Sequence, residues 1–241
     1  MVKIGELYNY LNEITPFELQ EKWDNSGLLV GNLNKSVDKI YLSIDLDLDL
    51  ISEVEDGSLI ITHHPLIFKP LRNLVGNDFA TKILLELVKR DISLISLHTN
   101  FDKTHLNRYV ATEVLNFDIV RSDDFILYFN INDNFNSILE NIKDRLKVDS
   151  LNYVKCKDEI KTIALTTGSG MSLLDRVDAD LFLTGDIKYH DAMDAKVIGI
   201  SLIDITHYES EKYFGEALYK SLGDFQEYAI ITNSKNPFKR S

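Results

Sequence analysis

The sequence of 241 residues contains one cysteine, Cys156, and only 4 prolines. A single thiol can form neither an intrachain disulfide nor a thiolate zinc cluster, which is typical of a reducing compartment. No apolar run approaches the ~18 residues that a membrane-spanning helix needs, and the first residues do not resemble a signal peptide. These absences predict a cytoplasmic protein without a membrane anchor.

Positive charge is also scarce, with 26 basic against 38 acidic residues and a formal net charge of −12. A broad nucleic-acid interface needs a basic surface, and an anionic membrane repels an acidic protein. Neither partner is therefore expected. The hydrophobic fraction of 44% and the charged fraction of 27% are those of an ordinary folded chain.

The apolar residues alternate between the helical and the extended period along the whole chain. Helices are predicted over 3–13, 46–55, 78–90, 104–114, 135–147, 187–195 and 208–222. Strands are predicted over 27–30, 38–44, 58–62, 92–97, 125–131, 151–155, 161–166, 180–184, 197–203 and 227–232. This alternation predicts an α/β fold with mixed, partly parallel sheets.

No stretch has the composition of a flexible linker, so residues 1–241 are expected to form one compact unit. The polar run at 121–124 separates two apolar strands and suggests two lobes, 1–122 and 123–241.

Two adjacent histidines, His63 and His64, follow the apolar strand 58–62 within the sequence THHP. Neighbouring side chains on an extended backbone point to opposite sides, so the pair can reach two different metal ions. Pro65 favours the extended conformation at His64. The alternative is a pair of ordinary loop histidines.

His98 and Asp102 follow the next apolar strand within the sequence LHTNFD. Asp102 offers a hard oxygen ligand, and the imidazole of His98 could orient it or move a proton. Alternatively, Asp102 only caps a helix over 104–114.

His207 and Glu211 are four residues apart at the start of the predicted helix 208–222. Residues at this spacing project from one helical face, and such a pair is a recurrent metal-ligand arrangement. The alternative is an ordinary acidic helix start, stabilised by the helix dipole.

The segment 183–195 adds Gly185, Asp186 and His190 after another apolar strand. His190 is interpreted as a residue for proton transfer or for orienting a ligand, rather than as a ligand itself. The glycines of GSG at 168–170 allow close backbone approach, but no GK[ST] follows, which excludes a P-loop.

The five residues His63, His64, Asp102, His207 and Glu211 together match the donor set of a two-metal centre. Two divalent ions carry four positive charges and two carboxylates offset two of them. The remaining two positive charges would attract an anion. Water bound to such an ion has its pKa lowered towards ~7, so that a metal-bound hydroxide becomes the nucleophile. The sequence has no HExxH and no GxSxG, and Cys156 lies in a plain strand-like stretch.

Five segments occur in the order of one known family: WDNSGLLVG at 23–31, THHPLIFKPL at 62–71, LHTNFD at 97–102, TGDIKYHDAMDA at 184–195 and HYESE at 207–211. The chain resembles the NGG-interacting-factor-like family, whose bacterial members are often labelled GTP cyclohydrolase I type-two homologues. The resemblance covers nearly the whole chain. The length corresponds to the short form, without the inserted middle domain.

The resemblance implies that His64 and Asp102 bind one ion, that His63 and His207 bind the other, and that Glu211 bridges them. It places His98 and His190 at the lining of the site, and assigns Trp23, Asp24 and Asn25 to structural support. It also implies a hexameric ring of identical chains. The acidic segment 43–49 departs from the family pattern, in which a threonine commonly follows the aspartate.

Two functions are compatible with these features. The first is a dinuclear metal-dependent hydrolase for a small anionic, nucleotide-like substrate, where zinc, iron, manganese or nickel would suit the ligands. The second is a non-catalytic protein for metal binding, metal storage or regulation.

Overall fold

The computed structural model describes residues 1–232 and 234–239. Its strands are β1 (Val2–Lys3), β2 (Gly27–Val30), β3 (Ser36–Val37), β4 (Ile40–Ser43), β5 (Leu59–Thr62), β6 (Ser93–Ser96), β7 (Ile119–Asp123), β8 (Ile126–Asn134), β9 (Asn152–Val154), β10 (Glu159–Leu165), β11 (Leu181–Thr184), β12 (Ser201–Asp204) and β13 (Ala229–Ile231). Its α-helices are α1 (Ile4–Ile14), α2 (Leu48–Glu53), α3 (Phe79–Lys89), α4 (Thr99–Phe101), α5 (Asn107–Tyr109), α6 (Phe135–Leu146), α7 (Tyr189–Ile198), α8 (His207–Glu211) and α9 (Phe214–Ser221).

The chain folds as two compact units. The first unit consists of Met1–His105 and the chain from Phe214 onward, and the second unit consists of Leu106–Tyr213. Among the described residues, no helix combines the length and the apolar character needed to cross a membrane.

The first unit contains a five-stranded sheet in the order β13-β4-β5-β6-β2. The strands β13, β4, β5 and β6 are parallel, and β2 closes the edge antiparallel to β6. All residues of β4, β5 and β6 are buried, which explains their nearly continuous apolar sequences. The carboxyl ends of these three strands therefore lie side by side at one edge of the sheet.

Helices α2 and α3 cover one face of this sheet. Asp78 caps α3 by accepting a hydrogen bond from the backbone N–H of Thr81 at 2.9 Å. Ile83 and Leu87 of α3 then pack with Ile60 and Leu94 of the sheet in one buried cluster. The helical period of α3 thus places its apolar stripe on the sheet, as the sequence predicts.

The second unit contains a six-stranded sheet in the order β7-β8-β10-β11-β12-β9. Its centre is again parallel, because β10 pairs with β11 and β11 with β12 in the same direction. The outer strands β8 and β9 are antiparallel to their neighbours β10 and β12. Phe182 of β11 is fully buried, and burying such a side chain contributes about 1.5–3 kcal/mol.

Both units are therefore mixed α/β structures with partly parallel sheets, and the predicted fold class is confirmed. The division between the units differs from the boundary expected near residue 122. The polar run 121–124 is not a break between lobes, because it belongs to a hairpin in which β7 pairs antiparallel with β8. Asp124, at the turn, has a positive φ of 57°, a conformation that short polar residues tolerate.

Two sequence predictions for the segment 197–222 are wrong. The helix expected over 208–222 is interrupted, and α8 and α9 belong to different units. The strand expected over 197–203 begins only at Ser201, because α7 continues to Ile198 and ends at Gly199 with a φ of 88°. The apolar pair Val197–Ile198 suggested a strand, but both side chains are exposed on the helix.

Candidate metal centre

In the first unit, histidines and one aspartate follow the carboxyl ends of the three buried parallel strands. Asp45 follows β4, His63 and His64 follow β5, and His98 follows β6. Ligand sites of α/β sheets form at such an edge, where neighbouring strands present their last residues together. The predicted placement of the histidines after strands is thus found in the structure.

His63 is fully buried and its imidazole orientation is defined by hydrogen bonding. Its Nδ1 lies 2.9 Å from the carbonyl oxygen of Leu97, and a carbonyl can only accept, so Nδ1 carries the proton. In a neutral ring the lone pair would then be on Nε2, which lies 3.4 Å from Oδ1 of Asp102. Two electron-rich atoms facing each other at this distance form a donor pair that a shared cation or a proton would stabilise.

His64 and His98 have the same arrangement, with a carboxylate as the acceptor. Nδ1 of His64 lies 2.9 Å from Oδ1 of Asp45, and Nδ1 of His98 lies 2.8 Å from Oδ1 of Asp24. The ring nitrogens of His63, His64 and His98 offer one donor atom each, all within 4.8 Å of one another. These three histidines could hold a metal ion, and sequence reasoning assigned only two of them as ligands.

Asp24 is the most strongly perturbed carboxylate beside this cluster. Burial opposes its ionisation, but hydrogen bonds from His98, Thr99 and the backbone of Asn25, together with the charge of His98, lower the pKa of Asp24 to about 2. Its Oδ2 accepts from the backbone N–H of Thr99 at 3.0 Å and also from the Thr99 hydroxyl. The structural support expected of this segment therefore includes a direct bond to the ring of His98.

The helical segment after His98 starts earlier than predicted. It begins at Thr99 rather than near residue 104, so Asp102 lies inside the helical segment instead of capping it. The alternative interpretation of Asp102 as an N-cap is therefore wrong. Its carboxylate lies 3.4 Å from Nε2 of His63, whereas the resemblance pairs Asp102 with His64.

In the second unit, α8 presents His207 and Glu211 on one face, as the four-residue spacing predicts. Nε2 of His207 lies 2.9 Å from Oε2 of Glu211, and its Nδ1 lies 2.7 Å from Oδ2 of Asp186. Glu211 is only 3% exposed. Burying a carboxylate costs free energy unless a charged or hydrogen-bonding partner compensates, so this pair also has the character of a cation site.

The backbone around Glu211 leaves no room for larger residues. Gly168 has a φ of +61°, and a Cβ at this position would lie 2.0 Å from Oε1 of Glu211. A Cβ at Gly185 would lie 2.7 Å from the backbone nitrogen of His207. Thr206, just before His207, has a φ of 57° and a ψ of 154°, a region that residues other than glycine rarely adopt. The glycines of the GSG and TGD segments thus position the His207–Glu211 pair.

All four histidines share one feature of metal-binding imidazoles. Metal-ligating histidines donate their second ring N–H to a carboxylate or a carbonyl, which orients the ring and directs the other nitrogen to the metal. Here the acceptors are the Leu97 carbonyl, Asp45, Asp24 and Asp186. The three-histidine group of the first unit could hold a metal ion, and imidazole ligands suit zinc or iron.

The remaining histidines lie outside these groups. His190 is exposed in α7 and its ring contacts Tyr189. His105 stacks on Phe101 at 4.9 Å, and burial lowers its pKa, as expected for a packed neutral ring. Asp45 was missed by sequence reasoning, which noted its acidic segment only as a departure from the family. Its position directly after the predicted strand 38–44 was the available signal.

Comparison with known proteins agrees with this architecture. Residues 2–237 match the family model described as Duf34/NIF3 (NGG1p interacting factor 3). The chain belongs to this family.

Among its relatives, a protein of Campylobacter jejuni named GTP cyclohydrolase 1 type 2 homolog is 45% identical over 239 residues, covering 99% of each chain. A Helicobacter pylori protein named GTP cyclohydrolase 1 type 2 is 44% identical over 241 residues, again covering 99% of each chain. A crystal structure of a hypothetical protein from Staphylococcus aureus superposes with a TM-score of 0.87 at 28% identity, covering 99% of both chains. The similarity to the first two proteins extends over 99% of their length.

Proposed function

We propose that the protein is a dinuclear divalent-metal-dependent hydrolase that acts on a small anionic, nucleotide-like substrate. In this proposal His64 and Asp102 hold one ion, His63 and His207 hold the other, and Glu211 bridges the two, as the family resemblance implies. The observation that carries the proposal is the hydrogen bonding of the histidines, each of which has Nδ1 directed to an acceptor. When bound, the ions would supply Lewis acidity and an activated water molecule.

The residues of the chain would have three tasks in such a reaction. The carboxylates of Asp102 and Glu211 would neutralise part of the metal charge, and Asp45 and Asp186 would hold the imidazole rings in their ligating orientation. Asp24 holds Nδ1 of His98. His98 would then join His63 and His64 as a third histidine ligand, or it would accept and donate a proton through Nε2. His190 is proposed to transfer a proton or to orient a ligand.

The nucleotide-like substrate is supported by the names of the relatives, two of which are called GTP cyclohydrolase 1 type 2 or its homolog.

The ring of six chains implied by the resemblance also belongs to this proposal. Such a ring would enclose the metal centres and admit small substrates in preference to folded macromolecules. Light scattering tests it, and a monomer over a wide range of protein concentration would contradict it.

Metal analysis of the freshly purified protein tests the proposed centre. We expect two divalent ions per chain, and we expect Glu211→Gln to lower the metal content sharply because the amide cannot replace a bridging carboxylate. Glu209→Gln is the matched control, since Glu209 lies in the same helix and pairs with Lys212. Full occupancy in Glu211→Gln would contradict the ligand assignment.

Turnover assays with nucleotides and phosphoesters test the reaction. Hydrolysis should disappear with a chelator and return when the metal is restored. Activity that survives complete metal removal would require another nucleophile. Full metal loading without turnover of any substrate class would favour the non-catalytic metal-binding function.

A further inference from the structure

Two large aromatic side chains lie exposed beside the histidine cluster of the first unit. Trp23 is 57% exposed and Phe68 is 46% exposed, although each could bury far more apolar area in a core. Their ring centroids are 5.7 Å apart. The ring of His98 lies 6.0 Å from Trp23 and 6.4 Å from Phe68.

His98 connects this aromatic pair to the candidate metal ligands. Its ring centroid is 5.1 Å from that of His63 and 5.5 Å from that of His64. A planar ligand that stacked against Trp23 or Phe68 would thus lie next to His98, which is itself one of the three clustered histidines. Both aromatic residues are in the first unit, so this geometry involves only that unit.

The segment that carries Trp23 is held rigidly on both sides. The backbone N–H of Glu21 donates to the hydroxyl of Thr99 at 2.9 Å, and Asp24 accepts from His98. The side chain of Asn25 donates to the carbonyl oxygen of Ile67 at 2.6 Å, next to Phe68. This bond joins the two aromatic segments directly. A wall that is ordered before the ligand arrives binds it with a smaller loss of conformational entropy.

Phe68 also lines a cavity of about 360 Å³ on the loop that follows the histidine pair. Lys69 and Arg72 line the same cavity and bring two positive charges to it. Asp78 lines it as well, but its carboxylate is engaged as the N-cap of α3. The cavity thus combines an aromatic side chain with cationic groups.

These cations matter because the histidine cluster carries less positive charge than the sequence suggested. Asp24, Asp45 and Asp102 all lie against histidines of the first unit. Three carboxylates offset most of the charge that metal ions would bring there. Recognition of an anionic group would therefore fall mainly to Lys69 and Arg72.

We propose that Trp23 and Phe68 form a stacking wall for the planar ring of a nucleoside monophosphate or a similar aromatic anion, with Lys69 and Arg72 receiving its anionic group. This pair would be the subsite that binds the ring of the hydrolase substrate, so the proposal rests on the proposed function. Stacking on an aromatic side chain tolerates any nucleobase, since each base has a π-face.

The single tryptophan of the sequence makes the wall directly observable. We expect guanosine, adenosine or cytidine monophosphate to quench Trp23 fluorescence saturably, and ribose 5-phosphate, which lacks a ring, to leave it unchanged. Phe68→Leu keeps the reporter and should weaken nucleotide binding by about fivefold or more. Phe79→Leu is the control, because Phe79 is an aromatic residue of this unit that is 64% exposed and does not line the cavity.

The double variant Lys69→Ala/Arg72→Ala tests the anionic part. It should weaken binding of guanosine monophosphate but leave binding of uncharged guanosine nearly unchanged. An unchanged fluorescence with all three nucleotides, or equal affinity of Phe68→Leu and the unaltered protein, would overturn the proposal.

The same samples distinguish the wall from the metal centre. The titration is carried out with and without chelator, and metal content is measured in parallel. Quenching in a protein that never holds metal would support the wall and contradict the proposed hydrolase. Two bound ions and metal-dependent turnover with no fluorescence change would support the hydrolase and contradict the wall.

Discussion

The two units place their candidate ligands by the same topological means but hold them by different physical means. In each, three adjacent parallel strands end at one edge of a sheet, and the functional side chains follow those ends. In the first unit the histidines are oriented by side chains and a carbonyl from other segments, such as Asp24, 74 residues from His98. In the second unit the backbone itself is constrained, with Gly168, Asp186 and Thr206 all at positive φ.

This difference indicates how each half responds to substitution. A side-chain acceptor in the first unit can be weakened without moving the backbone, so ligand orientation should change gradually. The second unit holds Glu211 against Gly168 and His207 beside Gly185, where any added atom meets backbone or a buried carboxylate. A larger side chain at Gly168 or Gly185 should therefore affect folding and the site together.

The largest effect is expected at Gly168. Gly168→Ala adds a Cβ at 2.0 Å from Oε1 of Glu211 and forces an alanine to a φ of +61°. Left-handed strain and overpacking together should destabilise the second unit by about 2–5 kcal/mol. Denaturant unfolding in the presence of chelator measures this loss without a contribution from metal binding.

Gly199→Ala is the matched control in the same unit. Gly199 also has a positive φ, +88°, but a Cβ there would meet no atom within 4 Å. Only the conformational strain of about 1–2 kcal/mol should appear. Equal losses in the two variants would show that close packing against Glu211 contributes nothing.

A smaller effect is expected from the acceptors behind the histidines. Asp45→Asn and Asp186→Asn keep an oxygen that can accept from Nδ1 but remove the negative charge. Each should weaken metal binding about tenfold, at the lower end of the range for such partners, with little change in stability. Metal titration of the variants measures the affinities.

Two exposed aspartates in neighbouring positions serve as controls. Asp49, in the same acidic segment as Asp45, is changed to asparagine as the control for Asp45→Asn. Asp194, in α7, is changed to asparagine as the control for Asp186→Asn. Neither should change metal affinity. Equal weakening by all four substitutions would attribute the effect to general charge and not to the hydrogen bonds with histidine.

Much of the candidate ligand set of the first unit follows from local sequence signals. A strand that is apolar throughout is buried, and a polar residue directly after it falls at the sheet edge, which is how His63 and His98 could be recognised. The i, i+4 spacing of His207 and Glu211 also predicts one helical face. These signals need only the few residues around each position.

The parts that sequence reasoning missed depend on contacts between distant segments. The bond from His64 to Asp45 requires β4 to lie beside β5, and strand order cannot be derived from apolar periodicity. The interruption between α8 and α9 has the same origin, since the amphipathic pattern over 208–222 continues across it. Phe214, the first residue of α9, belongs to the first unit and packs against Phe101 of the same unit. Phe101 lies 113 residues earlier in the sequence, and local patterns cannot predict such a contact.

The smallest effect concerns a carboxylate of the second unit that lies away from the candidate ligands. Burial raises the pKa of Asp180, but hydrogen bonds from Lys157 and from the backbone of Lys161 and Thr162, with the charge of Lys157, lower it overall. Oδ1 of Asp180 lies 2.5 Å from Nζ of Lys157, and Oδ2 accepts from the N–H of Lys161 at 2.9 Å. Asp180 therefore stabilises the folded state in its ionised form.

The pH dependence follows from the direction of this shift. A carboxylate whose pKa is lower in the folded protein contributes stability above its unfolded pKa of about 3.9, and this contribution is lost as the pH falls through the folded pKa. Asp180→Asn should therefore cost roughly 1 kcal/mol at pH 7, after allowance for solvent screening, and progressively less below about pH 4. Unfolding measured at a series of pH values checks this convergence. If the difference in free energy of unfolding between the two proteins stayed constant down to the lowest pH, the charge of Asp180 would not be its cause. The role of Asp180 would then be assigned to the geometry of its hydrogen bonds alone.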